Sequence, residues 1–232
     1  LCYFLFISFL MFFLFLFLSH LSAICAVDLD QWRTELQFAQ PNFWMSLNMA
    51  ALPDKISGVT VTLENIDERK KAEQELQHLA MHDPLTGLYN RHFSDRELMR
   101  IAALASDKQS HALMYIDLDH FKVVNDSHGH SQGDAILREV ANRLAMGLSA
   151  DDLLCRVGGD EFVVISPAKT LEQANELATR LCVALDAQPY RLMDKVYTLS
   201  CSIGVTIVDG SQPDAQVYLQ QADIALYVAK AK

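Results

Sequence analysis

The sequence predicts an α/β protein, an α+β sandwich in which a mixed central sheet is flanked by helices. Three observations carry that prediction. Ala112 to Ile116 is a short apolar run that ends in Asp117-Leu118-Asp119, which reads as a buried strand delivering carboxylates at its C-terminal end. Gly158-Gly159 separates Leu154-Cys155-Arg156-Val157 from the apolar stretch Phe162 to Ile165, the pattern of a β-hairpin. Segments with helical apolar spacing lie between and after these strands, and helices alternating with strands give a sheet covered by helices.

From the N-terminus, Leu1 to Leu18 is apolar except for Ser8, and no formally charged residue precedes Asp28. A helix of such a stretch reaches roughly 40 Å against a hydrocarbon core of about 30 Å, so residues 1–27 are expected to be a transmembrane or signal-anchor segment. Its orientation cannot be read from charge, because no Lys or Arg precedes it and the first to follow is Arg33. Residues 28–57 hold both tryptophans, and no element is predicted there. Val59, Val61 and Leu63 then alternate with Thr60, Thr62 and Glu64 as a half-buried strand.

A charged helix follows over residues 65–80. Asn65 or Asp67 can cap it, Arg69 with Glu73 and Lys71 with Glu75 are four apart, and Ala72, Leu76 and Leu79 form a short apolar seam. A solvated linker and a dimer-forming signalling helix both fit. Asp83 to Arg91, punctuated by Pro84 and Gly87, reads as a turn that caps the next helix.

After the first acidic strand, Phe121 to Asp126 leads into a loop with Gly129 and Gly133, and Asp134 opens a helix through Ala135, Leu137, Val140, Ala141 and Leu144. Gly158-Gly159 is expected to be a two-residue turn with positive φ at both glycines. Leu171 to Leu185 is a helix, Val196 to Val208 a long strand rich in β-branched residues, and Pro213 to Ala231 a terminal helix.

Composition narrows the function. The 232 residues carry 19 Lys+Arg against 29 Asp+Glu, a formal net charge of −10, which supplies no basic surface for a nucleic-acid polymer. A small nucleotide in one local pocket is compatible with that charge. Cys2, Cys25, Cys155, Cys182 and Cys201 lie far apart, with no close pair to suggest a zinc site or a redox motif, and read as reduced cysteines of a cytosolic body. The hairpin tip would place Asp160-Glu161 beside Asp117, and these acids repel unless a cation lies between them. A hard divalent ion resolves this, and Mg²⁺ takes one or two carboxylates plus substrate phosphates.

Gly158-Gly159-Asp160-Glu161-Phe162 is the signature of the GGDEF family, and the chain resembles its diguanylate cyclases. The supporting motifs are Asp83-Pro84-Leu85-Thr86-Gly87-Leu88-Tyr89-Asn90-Arg91, Asp117-Leu118-Asp119-His120-Phe121-Lys122 with Asn125-Asp126, Gly129-His130 with Gly133-Asp134, and Ala222-Asp223 with Ala225-Leu226-Tyr227 and Ala229-Lys230. They occur in the family's order within residues 81–232. The resemblance implies a sheet like that of the polymerase palm and class III nucleotide cyclases. It also implies condensation of two GTP into cyclic di-GMP plus two pyrophosphates, by a homodimer that depends on Mg²⁺ or, in its place, Mn²⁺. Asp117, Asp160 and Glu161 would be catalytic, with Asp117, Asp160 and the Leu118 carbonyl on the metal.

Asn125 and Asp134 would read guanine: a carboxylate accepts from the base's N1–H and N2–H₂, and an amide both donates and accepts. Lys122 and Lys230 would face the triphosphate, Gly158 and Gly159 would border the substrate, and Phe121 and Phe162 belong to the core. Because GTP is cytosolic, this reading puts residues 58–232 in the cytosol, anchored to the inner membrane. The alternative is a catalytically silent GGDEF domain that binds GTP or a protein partner.

The strand followed by Asn65-Ile66-Asp67-Glu68-Arg69-Lys70-Lys71-Ala72-Glu73 resembles the last strand and exit helix of PAS sensor modules, which makes residues 28–64 a truncated or degenerate one. Two departures from the GGDEF pattern stand out. Ser149-Ala150-Asp151-Asp152 occupies the place of the family's inhibitory Arg-x-x-Asp, and Ser cannot replace an Arg fork on phosphate, so product feedback through this site is expected to be absent. The chain also stops at Lys232, where the family continues with a Gly-Arg turn and a last strand.

Overall fold

The computed structural model describes residues 31–39, 42–51, 59–105, 110–168, 170–192, 195–212 and 214–231. The expected anchor over residues 1–27 lies outside them, and no helix among the described residues is long and apolar enough to cross a membrane. The chain divides into two compact units, Leu1–Leu76 and Gln77–Lys232.

The first unit is a three-stranded antiparallel meander of β1 (Gln31–Ala39), β2 (Asn42–Ala51) and β3 (Val59–Asn65), in the order β1-β2-β3. Only β3 was expected, so the reading of residues 28–57 as featureless is corrected. Trp32, Thr34, Leu36 and Phe38 do alternate with Arg33, Glu35 and Gln37, a period of two that pairing with β2 turns into a strand. Helix α1 (Asp67–Met81) follows and buries none of its residues. Its Arg69 and Lys70 reach Glu35 at 2.7 and 2.6 Å. Hydrogen bonds from Lys70 and then Arg69 hold the Glu35 carboxyl at about 2.

The second unit contains β4 (Tyr89–Asn90), α2 (Arg91–Leu104), β5 (His111–Leu118), α3 (Phe121–His128), α4 (His130–Met146), β6 (Leu153–Arg156), β7 (Glu161–Pro167), α5 (Leu171–Asp186), β8 (Tyr190–Leu192), β9 (Lys195–Tyr197), β10 (Cys201–Val208) and α6 (Ala215–Lys230). Its five-stranded sheet has the order β10-β5-β7-β6-β4, antiparallel except for the parallel β4 and β6 pair. A mixed sheet flanked by helices is therefore the observed fold class.

β5 lies inside the sheet, between β10 and β7, and both its faces are apolar. Met114, Ile116, Phe162 and Val164 pack on one side against Ile136, Val140 and Leu144 of α4 and Leu177 and Leu181 of α5. Leu113, Val163 and Ile165 pack on the other against Leu98 and Ile101 of α2 and Tyr218 and Ala222 of α6. Each buried Val, Leu, Ile, Met or Phe among them stabilises the fold by about 2 kcal/mol. Phe121 and Phe162 both belong to this core.

Helix α6 approaches the sheet at Gly204, where a Cβ would stand 1.9 Å from the Ala222 carbonyl oxygen and 2.4 Å from the Leu226 nitrogen. Only a glycine lets the helix backbone lie that close to β10. That seating carries Lys230, in the last turn of α6, to the end of the sheet where β5 terminates.

Several local expectations are corrected. Val196 to Val208 is not one strand: β9 pairs with β8 as a separate hairpin, Leu199 turns into the core, and β10 begins at Cys201 on β5. Phe121 to His128 is a helix entered through the left-handed His120 (φ 58°), and the expected loop shrinks to Gly129, since Gly133 lies within α4. Asp134 does not open its helix: α4 starts at His130 behind Gly129, which places Asp134 in the second turn. The Gly158-Gly159 turn spans four residues, Val157 to Asp160, and neither glycine takes positive φ. Val157 and Gly158 both donate their N–H to the Glu161 carbonyl, at 3.0 and 3.3 Å, closing the wider loop.

Candidate functional site

The ends of β5 and the β6–β7 turn meet at one edge of the sheet. Asp117 lies directly opposite Glu161 in the antiparallel register, so both side chains leave the same face. The Leu118 N–H donates to the Asp160 carbonyl at 3.3 Å, which locks the turn against the strand end and puts Asp160 beside Asp117. Burial, and then the Asp117 carboxylate, push the Asp160 carboxyl above its ordinary range, with Lys230 and Arg156 acting in the opposite direction. Lys230 Nζ stands 2.6 Å from Asp117 Oδ1.

Asp160 and Glu161 occupy different surroundings, because Asp160 belongs to the turn and Glu161 opens the strand. Glu161 Oε2 accepts from the Tyr115 hydroxyl at 3.3 Å and pairs with Arg91 at 3.7 Å. Arg91, Asp95, Tyr115, Glu161, Gln216 and Asp223 line a cleft of about 310 Å³ on this face. A Cβ on Gly158 would stand 2.2 Å from Glu161 Oε2, so this glycine is there to make room for the glutamate. Gly159 has open space around its Cα.

Arg156 was not singled out in the sequence, yet it positions the turn. Its Nη1 donates to both oxygens of Asp83, at 2.9 and 3.0 Å, while Nε and Nη2 donate to the Gly159 carbonyl at 3.2 and 2.8 Å. Asp83 also accepts from the Thr86 N–H and hydroxyl at 2.9 and 2.7 Å. Burial raises the Asp83 carboxyl, but the bonds from Thr86 and Arg156 together outweigh it and hold the group below its ordinary range. The segment read as a helix-capping turn thus also supports the hairpin tip, while Asn90 caps α2 by accepting from the Phe93 N–H at 3.0 Å. Asp119 is tied up structurally: Ser200 and Ser202 donate to its two oxygens at 2.8 and 2.9 Å.

Asn125 and Asp134 stand on the adjoining helices α3 and α4. A Cβ at Gly133 would lie 1.9 Å from Asn125 Oδ1, so the amide rests on the α4 backbone one residue from Asp134, and both side chains are half-buried. The two lysines differ in setting. Lys230 is engaged with Asp117, whereas Lys122 is exposed in the first turn of α3.

Among the described residues, no three His, Cys, Asp or Glu side chains converge as a metal cage. What the tip offers is oxygen: the Asp117 and Asp160 carboxylates, with the Leu118 backbone between them. Two close carboxylates, one reluctant to ionise and the other countered by an ammonium, fit a hard divalent ion that completes its shell with phosphate and water.

The family model described as "Diguanylate cyclase, GGDEF domain" matches residues 80–232. The chain is 38% identical over 174 residues to the "Probable diguanylate cyclase DgcE" of Escherichia coli, covering 75% of this chain and 16% of that protein. It is 40% identical over 158 residues to the "Response regulator PleD" of Caulobacter vibrioides, covering 66% of this chain and 34% of that one. The coiled coil and GGDEF domain of DgcB from Caulobacter crescentus, solved in complex with c-di-GMP, superposes with a TM-score of 0.65 at 26% identity, covering 72% of this chain and 88% of that structure. The chain thus spans between about a sixth and a third of the length of these two curated relatives.

Proposed function

Because the chain belongs to the GGDEF family of diguanylate cyclase domains, we propose that it condenses two GTP into cyclic di-GMP and two pyrophosphates, as a homodimer in which each protomer holds one GTP. The observation that carries this reading is the pairing of the Asp117 and Asp160 carboxylates at one sheet edge with Lys230 against them.

Each 3′-hydroxyl attacks the α-phosphate of the partner's GTP, and pyrophosphate leaves. Phosphoryl transfer of this kind needs positioning and charge neutralisation more than covalent help. Asp117, Asp160 and the Leu118 carbonyl would hold Mg²⁺, or Mn²⁺ in its place, which would supply positive charge to offset that of the phosphates. Arg156 keeps the Asp160 turn in place through the Gly159 carbonyl. Lys230 is set to move from Asp117 to a phosphate once the acids are otherwise neutralised, and Lys122 is free to reach the same triphosphate. Asp134 accepts from the guanine N1–H and N2–H₂, and the Asn125 amide donates and accepts along the same edge, which adenine presents differently. Glu161, held by Tyr115 and Arg91, orients the attacking side of the site.

The anchoring of residues 1–27 in the inner membrane, with the catalytic unit in the cytosol, belongs to the same proposal. So does a sensor remnant of PAS type over residues 28–64, a reading supported by a meander that leads directly into a charged helix. Feedback by product at Ser149 is proposed to be absent. There the Ser149 N–H and hydroxyl donate to Asp152 at 2.7 and 2.8 Å, an arrangement with no guanidinium to grip a phosphate.

The test is incubation of the chain with GTP and Mg²⁺ beside an Asp160→Ala control, with products separated by chromatography. Cyclic di-GMP from the wild type alone supports the cyclase. GTP binding without product supports the silent alternative instead.

A further inference from the structure

Cys182 and Cys201 are 19 residues apart and were read as isolated thiols, yet the fold brings their sulfurs to 3.7 Å, with Cys201 Sγ donating to Cys182 Sγ. They come from different elements, α5 and the first residue of β10, and both are half-buried rather than sealed. A disulfide needs about 2.05 Å between sulfurs, so closure requires an approach of less than 2 Å, within reach of side-chain rotation. Cys155, the other cysteine of this unit among the described residues, is fully buried, and burial pushes its thiol up to about 12, which keeps it protonated and inert.

We propose that Cys182 and Cys201 form a reversible dithiol–disulfide switch whose oxidant is hydrogen peroxide. The Cys182 sulfur attacks a peroxide oxygen, the O–O bond breaks, and Cys182 becomes a sulfenic acid as one water is released. The Cys201 sulfur then attacks the sulfenic sulfur, the S–S bond forms, the S–O bond breaks, and hydroxide leaves with the thiol proton as a second water. Two thiols are oxidised and one peroxide is reduced to two waters. Transient disulfides of this kind are the form in which redox sensing occurs in a reducing compartment.

The location gives the bond something to act on. Cys201 lies opposite Leu118 in the register, and the next residue, Ser202, lies opposite Asp117. Ser200 and Ser202, on either side of Cys201, hold both oxygens of Asp119. A bond to α5 therefore fastens the stretch of β10 that supports the acidic end of β5. The switch is a property of the two sulfurs and stands whether or not the acidic tip turns over GTP.

The experiment treats the full chain with hydrogen peroxide, blocks remaining thiols with N-ethylmaleimide, and maps tryptic peptides by mass. Cleavage after Arg180, Arg191, Lys195 and Lys230 puts the two cysteines on separate peptides, 181–191 and 196–230. The expected product is these two peptides joined, lighter by about 2 Da than their reduced sum and separated again by dithiothreitol. Cys201→Ala should stop the reaction at a Cys182 sulfenic acid that dimedone traps. Both thiols still alkylated after peroxide, a cross-link to another cysteine or between chains, or no dimedone adduct in Cys201→Ala would each overturn the proposal.

Discussion

The ammonium of Lys230 stands 2.6 Å from Asp117 Oδ1, joining the last turn of α6 to the acidic end of β5. The pair couples a structural decision, the seating of α6 on Gly204, to the charge balance of the site. The lysine side chain is 40% exposed, so the contact is worth at most about 1 kcal/mol. Lys230→Ala should tighten Mg²⁺ binding without nucleotide by about threefold, because the cation no longer competes with the ammonium. It should weaken triphosphate binding. Isothermal titration with Mg²⁺ and then with GTP reads both changes, and looser Mg²⁺ binding would contradict the first.

Asp160→Asn should abolish cyclase turnover by about a hundredfold or more, yet leave the protein more stable in chelator at neutral pH. Asp160 has a raised carboxyl pKa in the folded state, so its contribution is fully present below the unfolded value and is lost as pH rises through the folded one. The amide removes that loss. Melting curves in chelator should show the variant above wild type at pH 7, with the gap closing once the medium is acid enough to protonate Asp160 in both states.

Arg156→Ala should cost about 2 kcal/mol, since it leaves Asp83 without its charged partner and the Gly159 carbonyl without a donor. Side chains only 12% and 17% exposed make this pair the least hydrated contact at the tip. Hydrogen exchange should quicken at residues 157–160 while the core of β5 stays protected. Asp83 has a lowered pKa, so its support is present above the unfolded value near ~3.9 and is lost as pH falls through the folded value. The same loosening is therefore expected in wild type at strongly acid pH. Unchanged exchange in the variant would remove Arg156 from its positioning role.

Two glycine substitutions should separate specificity from stability. Gly133→Ala meets the end of the Asn125 side chain, which can move, so the fold should persist while preference for GTP over ATP falls about tenfold. Gly204→Ala meets the backbone of α6, which cannot move without unseating the helix, and should cost about 3 kcal/mol. Competition binding and urea melts on both variants provide the comparison.

Local patterns made much of the fold legible. The apolar run into Asp117, the charged helix of α1, the α5 and α6 spacings and the core positions of Phe121 and Phe162 all rest on periods of 2 or 3.6 residues, which any window of sequence displays. β1 escapes such a reading, because its alternation is short and lies outside any recognised motif.

What the tertiary structure decided lies between residues far apart in the chain. Arg156 and Asp83, separated by 73 positions, have no shared pattern, and the parallel pairing of β4 with β6, which sets Asn90 opposite Arg156, brings the segment holding Asp83 to the guanidinium. The glycines of the turn looked like positive-φ residues, but Gly158 is needed for the space that Glu161 occupies. Cys182 and Cys201 looked solitary until β10 docked beside α5. Residue type and periodicity determine which groups are present and which face of an element they leave. Which groups meet is settled by packing, because contact across the sheet depends on how whole elements close over a common core.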